Sequence, residues 1–188
     1  MRYRAILYSD LNCPFCYALE ERLVGQHLLE LVEWRWVQQA PQLPVPMEIA
    51  NFSLSRAIER EVLSVRELAP EIEISIPLGK PNTSRALRYI TAAYRRDPML
   101  ALVYRHTICR EFWVNGEDIS DEGMLVTLAR DLGMFDLVVD SAIESLTDRW
   151  QREWEHLGTG AVPTLLREDG VISLGLLSVK QLKEFFDV

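Results

Sequence analysis

The sequence predicts an α/β fold in which a sheet built from both ends of the chain is interrupted by an all-helical insertion. Three observations carry this expectation. The opening residues read β-α-β, the stretch from Phe52 to Leu157 repeats apolar residues at helical spacing, and the tail beyond Gly160 reads β-β-α. The sheet-bearing body is therefore expected from residues 1–46 and 158–188, with residues 47–157 as the helical insertion. A length of 188 residues suits one compact unit that buries a real core. With 48% hydrophobic and 26% charged residues, collagenous, low-complexity and disordered classes are excluded.

Taken in order, Arg4 to Ser9 is a short apolar run that stops at Ser9-Asp10-Leu11-Asn12, the signature of a buried strand entering a turn. A helix is expected directly afterwards. Asn12 or Cys13 can cap it, and Pro14 suits its first position because the missing N–H would be unpaired there anyway. Cys16, Leu19, Leu23, Val24, Leu28 and Leu31 form its apolar stripe, so the helix is expected to run to about Glu30. Val32 to Val37 alternates as a second strand, and Pro41, Pro44 and Pro46 forbid its continuation.

In the middle, Leu54, Ala57, Ile58, Val62 and Val65 mark a helix that stops at Pro70. A second is capped by Asn82 or Thr83 and runs to Arg96; a third restarts at Asp97-Pro98 and ends at the Asn115-Gly116 turn. Ser120 is expected to cap a fourth, closed by Gly133, and Asp136 to His156 to form the last, carrying Trp150 and Trp154 inward. The tail holds two short apolar runs, Pro163 to Leu166 and Val171 to Leu174, joined by Glu168-Asp169-Gly170 as a hairpin. Ser178 then caps a closing helix with Val179, Leu182, Phe185 and Phe186 inward.

Charge narrows the function classes. Twenty Lys and Arg against 28 Asp and Glu leave a net charge of -8 and a pI near 5.0, the wrong sign for a binder of nucleic acid or anionic membrane. No apolar stretch approaches a spanning helix, and Met1 to Arg4 leads straight into Ala5 to Tyr8 without the apolar core of an export signal. Three cysteines are too few for a secreted disulfide framework, so reduced thiols in the cytoplasm are expected.

Two of those cysteines carry the chemistry. Cys13-Pro14-Phe15-Cys16 follows a strand and opens a helix, where backbone N–H groups and the positive end of the helix dipole favour a thiolate. The spacing keeps both sulfurs within reach of each other. Cys13, nearer the helix terminus and less buried, is the natural nucleophile, and Cys16, one turn on, can resolve a mixed disulfide by internal attack.

At these residues the chain resembles the thioredoxin-fold superfamily and, within it, the DsbA-like (FrnE-type) thiol-disulfide oxidoreductases. The resemblance rests on Ser9-Asp10-Leu11-Asn12-Cys13-Pro14-Phe15-Cys16-Tyr17, on the helical insertion, on Val114 to Asp121 within it, and on Gly160-Ala161-Val162-Pro163-Thr164. It implies a split thioredoxin domain whose helical lobe covers the active site, with a cis Val162-Pro163 bond facing the cysteines. It implies catalytic Cys13 and Cys16, substrate contacts from Pro14, Phe15, Val162, Pro163 and Thr164, and no cofactor or metal, because the cysteines store the electrons. The partner is then a thiol or disulfide, either protein or glutathione-like. Two departures from relatives stand out. Leu7 occupies the place of an acid buried beneath the cysteines, and Pro14-Phe15 replaces a pair containing histidine, so a strongly oxidising character is not carried over.

Two other readings use the same residues. Glutathione-dependent isomerases and transferases of the kappa and 2-hydroxychromene-2-carboxylate isomerase type look similar in layout, though Ser usually stands where this chain has Cys13. Alternatively, His106 and Cys109, spaced one helical turn apart, could join Cys13 and Cys16 as a zinc-binding module. Cys109 by itself reads as a small apolar core residue, and His27 and His156 as polar helix-end residues.

Overall fold

A computed structural model describes residues 3–188. Met1 and Arg2, at the head of the expected 1–46 segment, lie outside the described residues. The elements are β1 (Ala5–Ser9), α1 (Pro14–Gly25), a one-turn 3-10 helix (Leu29–Leu31), β2 (Val32–Trp36), α2 (Phe52–Leu68), α3 (Ser84–Arg96), α4 (Pro98–Trp113), α5 (Glu122–Asp131), α6 (Ser141–His156), β3 (Thr164–Arg167), β4 (Ile172–Leu174) and α7 (Val179–Phe186).

The four strands form one sheet in the order β2-β1-β3-β4. β1 runs parallel to β2 and antiparallel to β3, with Leu7 opposite Trp34 on one side and Leu165 on the other. Strands from the two ends of the chain therefore share one sheet, and β1 lies inside it with its backbone paired on both edges. The crossover from β1 to β2 runs through α1, as a parallel pair requires. Leu7, Val32, Trp34, Trp36 and Leu165 are almost wholly buried, so the sheet is the floor of the core.

The helical insertion is sewn onto this sheet by aromatic and charged side chains. Trp36 of β2 meets Tyr94 of α3 and Trp150 of α6 edge to face, with ring centroids 5.2 and 5.7 Å apart. Arg22 of α1, itself buried, donates to the carbonyls of Leu68 at the end of α2 and of Leu177 before α7, at 2.6 and 2.7 Å. One guanidinium thus ties three segments together through its rigid fork of donors. Among the described residues, no helix is long and apolar enough to cross a membrane.

Several element boundaries differ from the sequence reading. α1 stops at Gly25 rather than near Glu30 because His27 turns left-handed, with φ 56°. The Leu28 N–H then reaches back to Leu23 O and that of His27 to Val24 O, which closes the helix end, and Val24 is left exposed. Asp121, not Ser120, caps α5: Ser120 spends its hydroxyl on the Asp118 carboxylate, while Asp121 accepts from Met124 N. α6 begins at Ser141 rather than Asp136, where Asp140 captures the Ile143 N–H; the β-branched pair Val138-Val139 before it is a poor helix start.

Candidate active site

β1 delivers the chain into the core at Ser9 and Asp10, both fully buried, and α1 begins four residues later. Cys13 is the residue flanking the helix start. Its backbone is extended, no side chain caps the helix, and no acid lies in the first turn, so the first N–H groups of α1 are left for whatever sits at the Cys13 sulfur. Pro14 is the first helical residue and is buried, whereas Phe15 is half-buried against the core. Cys13 keeps 6% of its surface accessible and Cys16 only 1%, so the outer thiol is the one a partner can reach.

The second part of the site is the loop before β3. The Val162–Pro163 peptide bond is cis, as is Val45–Pro46. Cys13 Sγ lies 3.6 Å from the Val162 carbonyl oxygen, a contact spanning 149 residues of sequence that brings the cysteine turn and the proline loop face to face. The loop's own shape is held locally. Trp154 Nε1 and the Thr164 hydroxyl both donate to Ala161 O, at 3.1 and 2.6 Å, and Gly175 N donates to Pro163 O at 2.9 Å. Thr164 is fully buried with its hydroxyl occupied in this way, so it shapes the loop and presents no free polar group.

Beneath the cysteines lies a polar layer that the sequence reading missed. Leu7 is indeed apolar and buried, and the buried acids near this turn are Asp10 and Glu20. The Asp10 carboxylate accepts from the Thr83 hydroxyl and from Gln39 N, each at 2.7 Å. Burial raises its pKa, against the hydrogen bonds from Gln39, Thr83, Asn12 and Leu11 that favour the charged form. Glu20 of α1 forms a buried ion pair with Arg105 of α4, whose guanidinium also lies over the Trp34 ring, 4.8 Å from its centroid. Arg105 Nη2 donates to Ser9 Oγ at 3.1 Å. The one signal available in the sequence was the Ser9-Asp10 pair directly at the strand end.

Burial dominates the electrostatics of the two inner thiols, Cys16 and Cys109. Burial pushes the Cys16 thiol well up, and its hydrogen bond to Cys13 and the charge there push the same way; a hydrogen bond with Ser9 and another from the Asp10 backbone oppose them. Cys109, fully buried on α4, is pushed up to about 11 by burial, against the nearby Arg105 charge. His106 pairs with Glu21 at 2.8 Å and remains partly exposed. The set of Cys13, Cys16, Cys109 and His106 does not assemble: among the described residues, no group of three or more His, Cys, Asp or Glu is placed to hold a metal ion. His27 serves as the left-handed end of α1, and His156 bonds back to Arg152 O within its own helix.

Comparison with known proteins places this arrangement. The chain is 24% identical over 178 residues to the uncharacterised protein YwbO of Bacillus subtilis (strain 168), covering 88% of this chain and 87% of that one. In structure it resembles the cytosolic disulfide reductase DsbM of Pseudomonas aeruginosa, with a TM-score of 0.67 at 18% identity, over 97% of this chain and 93% of that one. It also resembles a 2-hydroxychromene-2-carboxylate isomerase, with a TM-score of 0.71 at 18% identity, over 97% and 92% of the two chains. Likeness at such identity establishes a shared fold. The sequence family of DSBA-like thioredoxin domains matches residues 5–187, which is nearly the whole chain. With its four-stranded sheet, inserted helices and strand-to-helix cysteine pair, the chain belongs to the family of DSBA-like thioredoxin domains.

Proposed function

We propose that the chain is a thiol-disulfide oxidoreductase that exchanges disulfides through Cys13 and Cys16. The observation that carries this reading is the position of the Cys13 sulfur. It sits at the uncapped start of α1, 3.6 Å from the Val162 carbonyl, with Cys16 buried one turn behind it. In the forward direction the Cys13 thiolate attacks one sulfur of a partner disulfide, forming a mixed disulfide and expelling the other sulfur as a thiolate. Cys16 then attacks Cys13, the second partner sulfur departs, and the two protons of the cysteine pair end on the two released thiols. Two electrons pass from the cysteines to the partner, and no cofactor is required.

On this reading Pro14, Phe15, Val162 and Pro163 border the docking surface, with half-buried Phe15 as its apolar element, and Thr164, fully buried, serves it by holding the Ala161 carbonyl. Residues 1–46 and 158–188 act as the exchange body, and 47–157 as the lobe that backs it. A glutathione-like partner is supported by DsbM, a structure of which is described with GSH and has a TM-score of 0.64 to this chain. The cytosolic description of DsbM likewise agrees with exchange in the cytoplasm. A cysteine at position 13, where a serine would favour the isomerase reading, supports redox exchange instead.

The decisive test uses glutathione disulfide. Cys16→Ser should gain one glutathionyl group, on Cys13, that persists, whereas the wild-type chain should gain it transiently and end with an internal disulfide. Intact and peptide mass spectrometry read both. An adduct that survives Cys13→Ser, or no adduct on any variant, overturns the proposal.

A further inference from the structure

The chain leaving β2 is fixed by its backbone. Val37 N donates to Ser9 O at 3.0 Å, and Gln39 N donates to the buried Asp10 carboxylate at 2.7 Å. Between them, Gln38 N donates to Gln151 Oε1 at 2.8 Å, and Gln151 Nε2 donates back to Gln38 O at 3.1 Å. A side-chain amide from α6 thus pairs with the N–H and the C=O of one residue, as a neighbouring strand would. Bonds on three successive residues set the place of Gln39 against the cysteine turn.

The two glutamine side chains then part. Gln38 turns toward the lobe, where its Nε2 donates to Asn82 Oδ1 at 2.8 Å. Gln39 is exposed, and among the described residues its amide makes a single bond, from Nε2 to Gly160 O at 3.4 Å. That length lies beyond the usual range for an N–H···O bond, so it does little to brace the loop. It leaves one Nε2 hydrogen and the whole of Oε1 open to a partner. Gly160 stands two residues before Val162, a span of at most about 7 Å of chain, and the Val162 carbonyl lies 3.6 Å from Cys13 Sγ. A firmly anchored residue therefore carries an unfilled amide to the border between the cysteine turn and the proline loop.

We propose that Gln39 is a specificity-determining residue whose amide reads the backbone of the partner's reacting cysteine. Oε1 accepts from that residue's N–H and Nε2 donates to its C=O, the pairing that Gln151 already makes with Gln38. The site then selects disulfides of cysteine held in amide linkage, in glutathione or in a protein, over disulfides that lack amide groups. This rests on the exchange reading above and adds what the site selects.

Three disulfides test it, each followed with the wild-type chain and with Gln39→Met, which keeps the reach of the side chain and drops the amide. Glutathione disulfide carries an amide N–H and a peptide carbonyl on each cysteine. The disulfide of N-acetylcysteine amide carries the same two groups without the charged ends, and bis(2-hydroxyethyl) disulfide carries neither. Gln39→Met should raise KM about fivefold for the first two, as expected for the loss of about one neutral hydrogen bond, with kcat nearly unchanged. For bis(2-hydroxyethyl) disulfide, kcat/KM should stay at the wild-type value, which also reports that the variant is folded. Gln39→Ala should repeat the pattern without adding apolar surface.

A KM for glutathione disulfide that does not move overturns the proposal. Equal losses with all three disulfides overturn it as well, because Gln39 then only braces the proline loop. A rise confined to glutathione disulfide does the same, since the amide would be reading the charged ends of that molecule. If the wild-type chain exchanges with none of the three, the exchange reading itself fails, and the failure shows before any variant is compared.

Discussion

The two loops that meet at the Cys13 sulfur are held in opposite ways. The cysteine turn, residues 9–13, is fastened by the inserted lobe: Arg105 to Ser9, Thr83 to Asp10, Trp113 Nε1 to Leu11 O, and Asn12 Nδ2 to Pro81 O. These contacts reach across 69 to 102 residues of sequence. The proline loop, residues 160–163, is fastened chiefly by its neighbours, through Trp154, Thr164 and Gly175, with one longer contact from Gln39 Nε2 to Gly160 O at 3.4 Å. One side of the site is thus set by tertiary packing of the lobe, the other mainly by local chain geometry. Changes in the lobe should alter the chemistry of the cysteines, and changes near the tail should alter docking.

The largest expected effect comes from breaking the lobe's ionic contact with α1, made by the same Arg105 that donates to Ser9 of the cysteine turn. Arg105→Met alone strands the Glu20 carboxylate in the core, where only 2% of its side chain is exposed. Removing one partner of a buried pair costs about 3–5 kcal/mol. Urea unfolding should register most of that loss. Glu20→Met added to it should recover a large part, because the desolvated charge goes with it. A single variant as stable as wild type would mean that the lobe is not held to α1 through this pair.

A smaller effect, with a pH signature, is expected from Thr83→Val, which removes the hydroxyl donor to Asp10. The loss of one hydrogen bond to a buried carboxylate is about 1.5–3 kcal/mol at neutral pH. The sign of the pH dependence follows from the direction of the Asp10 shift. Its folded-state pKa is raised by burial, so the stability it contributes is full below the ordinary carboxylate value and is lost as pH rises through the folded value. Thr83→Val raises that value further. The gap between variant and wild type should therefore be widest near neutrality and narrow on acidification, read by denaturant midpoints across the acidic range. A gap independent of pH would show that Thr83 acts through packing alone.

The same contrast explains what was legible in the sequence. The strand-to-helix junction with Pro14 at the first helical position, the hairpin around Gly170 and the Ser178 cap with Gln181 all rest on contacts within a few residues, and they read directly. The polar layer did not. Thr83 stands before a helix and reads as its cap, yet its hydroxyl serves Asp10, 73 residues away, and Asn82 accepts from Ser84 N instead. Arg105 sits on a largely apolar helix whose spacing does not single it out, yet it is wholly buried against Ser9 of β1, Trp34 of β2 and Glu20 of α1. Position 7, where relatives keep a buried acid, holds Leu7, and the buried carboxylate of Asp10 stands at the end of the strand, three residues before Cys13, against Thr83 and Gln39. Local signals fix where elements start, while the partners of a buried charge depend on which helices the fold brings over the sheet.

The smallest effect belongs to the proline loop, and it sharpens the contrast because it should leave the cysteines untouched. Trp154 donates to Ala161 O at 3.1 Å from the last turns of α6, seven residues away in sequence. Its ring is buried, so Trp154→Phe keeps most of the apolar contact and removes the donor. One neutral hydrogen bond is about 1 kcal/mol, and the Thr164 hydroxyl still holds the same carbonyl, so global stability should fall by no more than that. What should change is the definition of the loop at Ala161 and Val162, the surface on which the proposed partner docks. Exchange with glutathione disulfide should then show a raised KM at a nearly unchanged kcat, and alkylation of Cys13 should keep its wild-type rate. If Trp154→Phe instead lowers kcat or slows Cys13 alkylation, the proline loop takes part in the chemistry of the thiol, and the division between a lobe that tunes the cysteines and a tail that docks the partner is wrong.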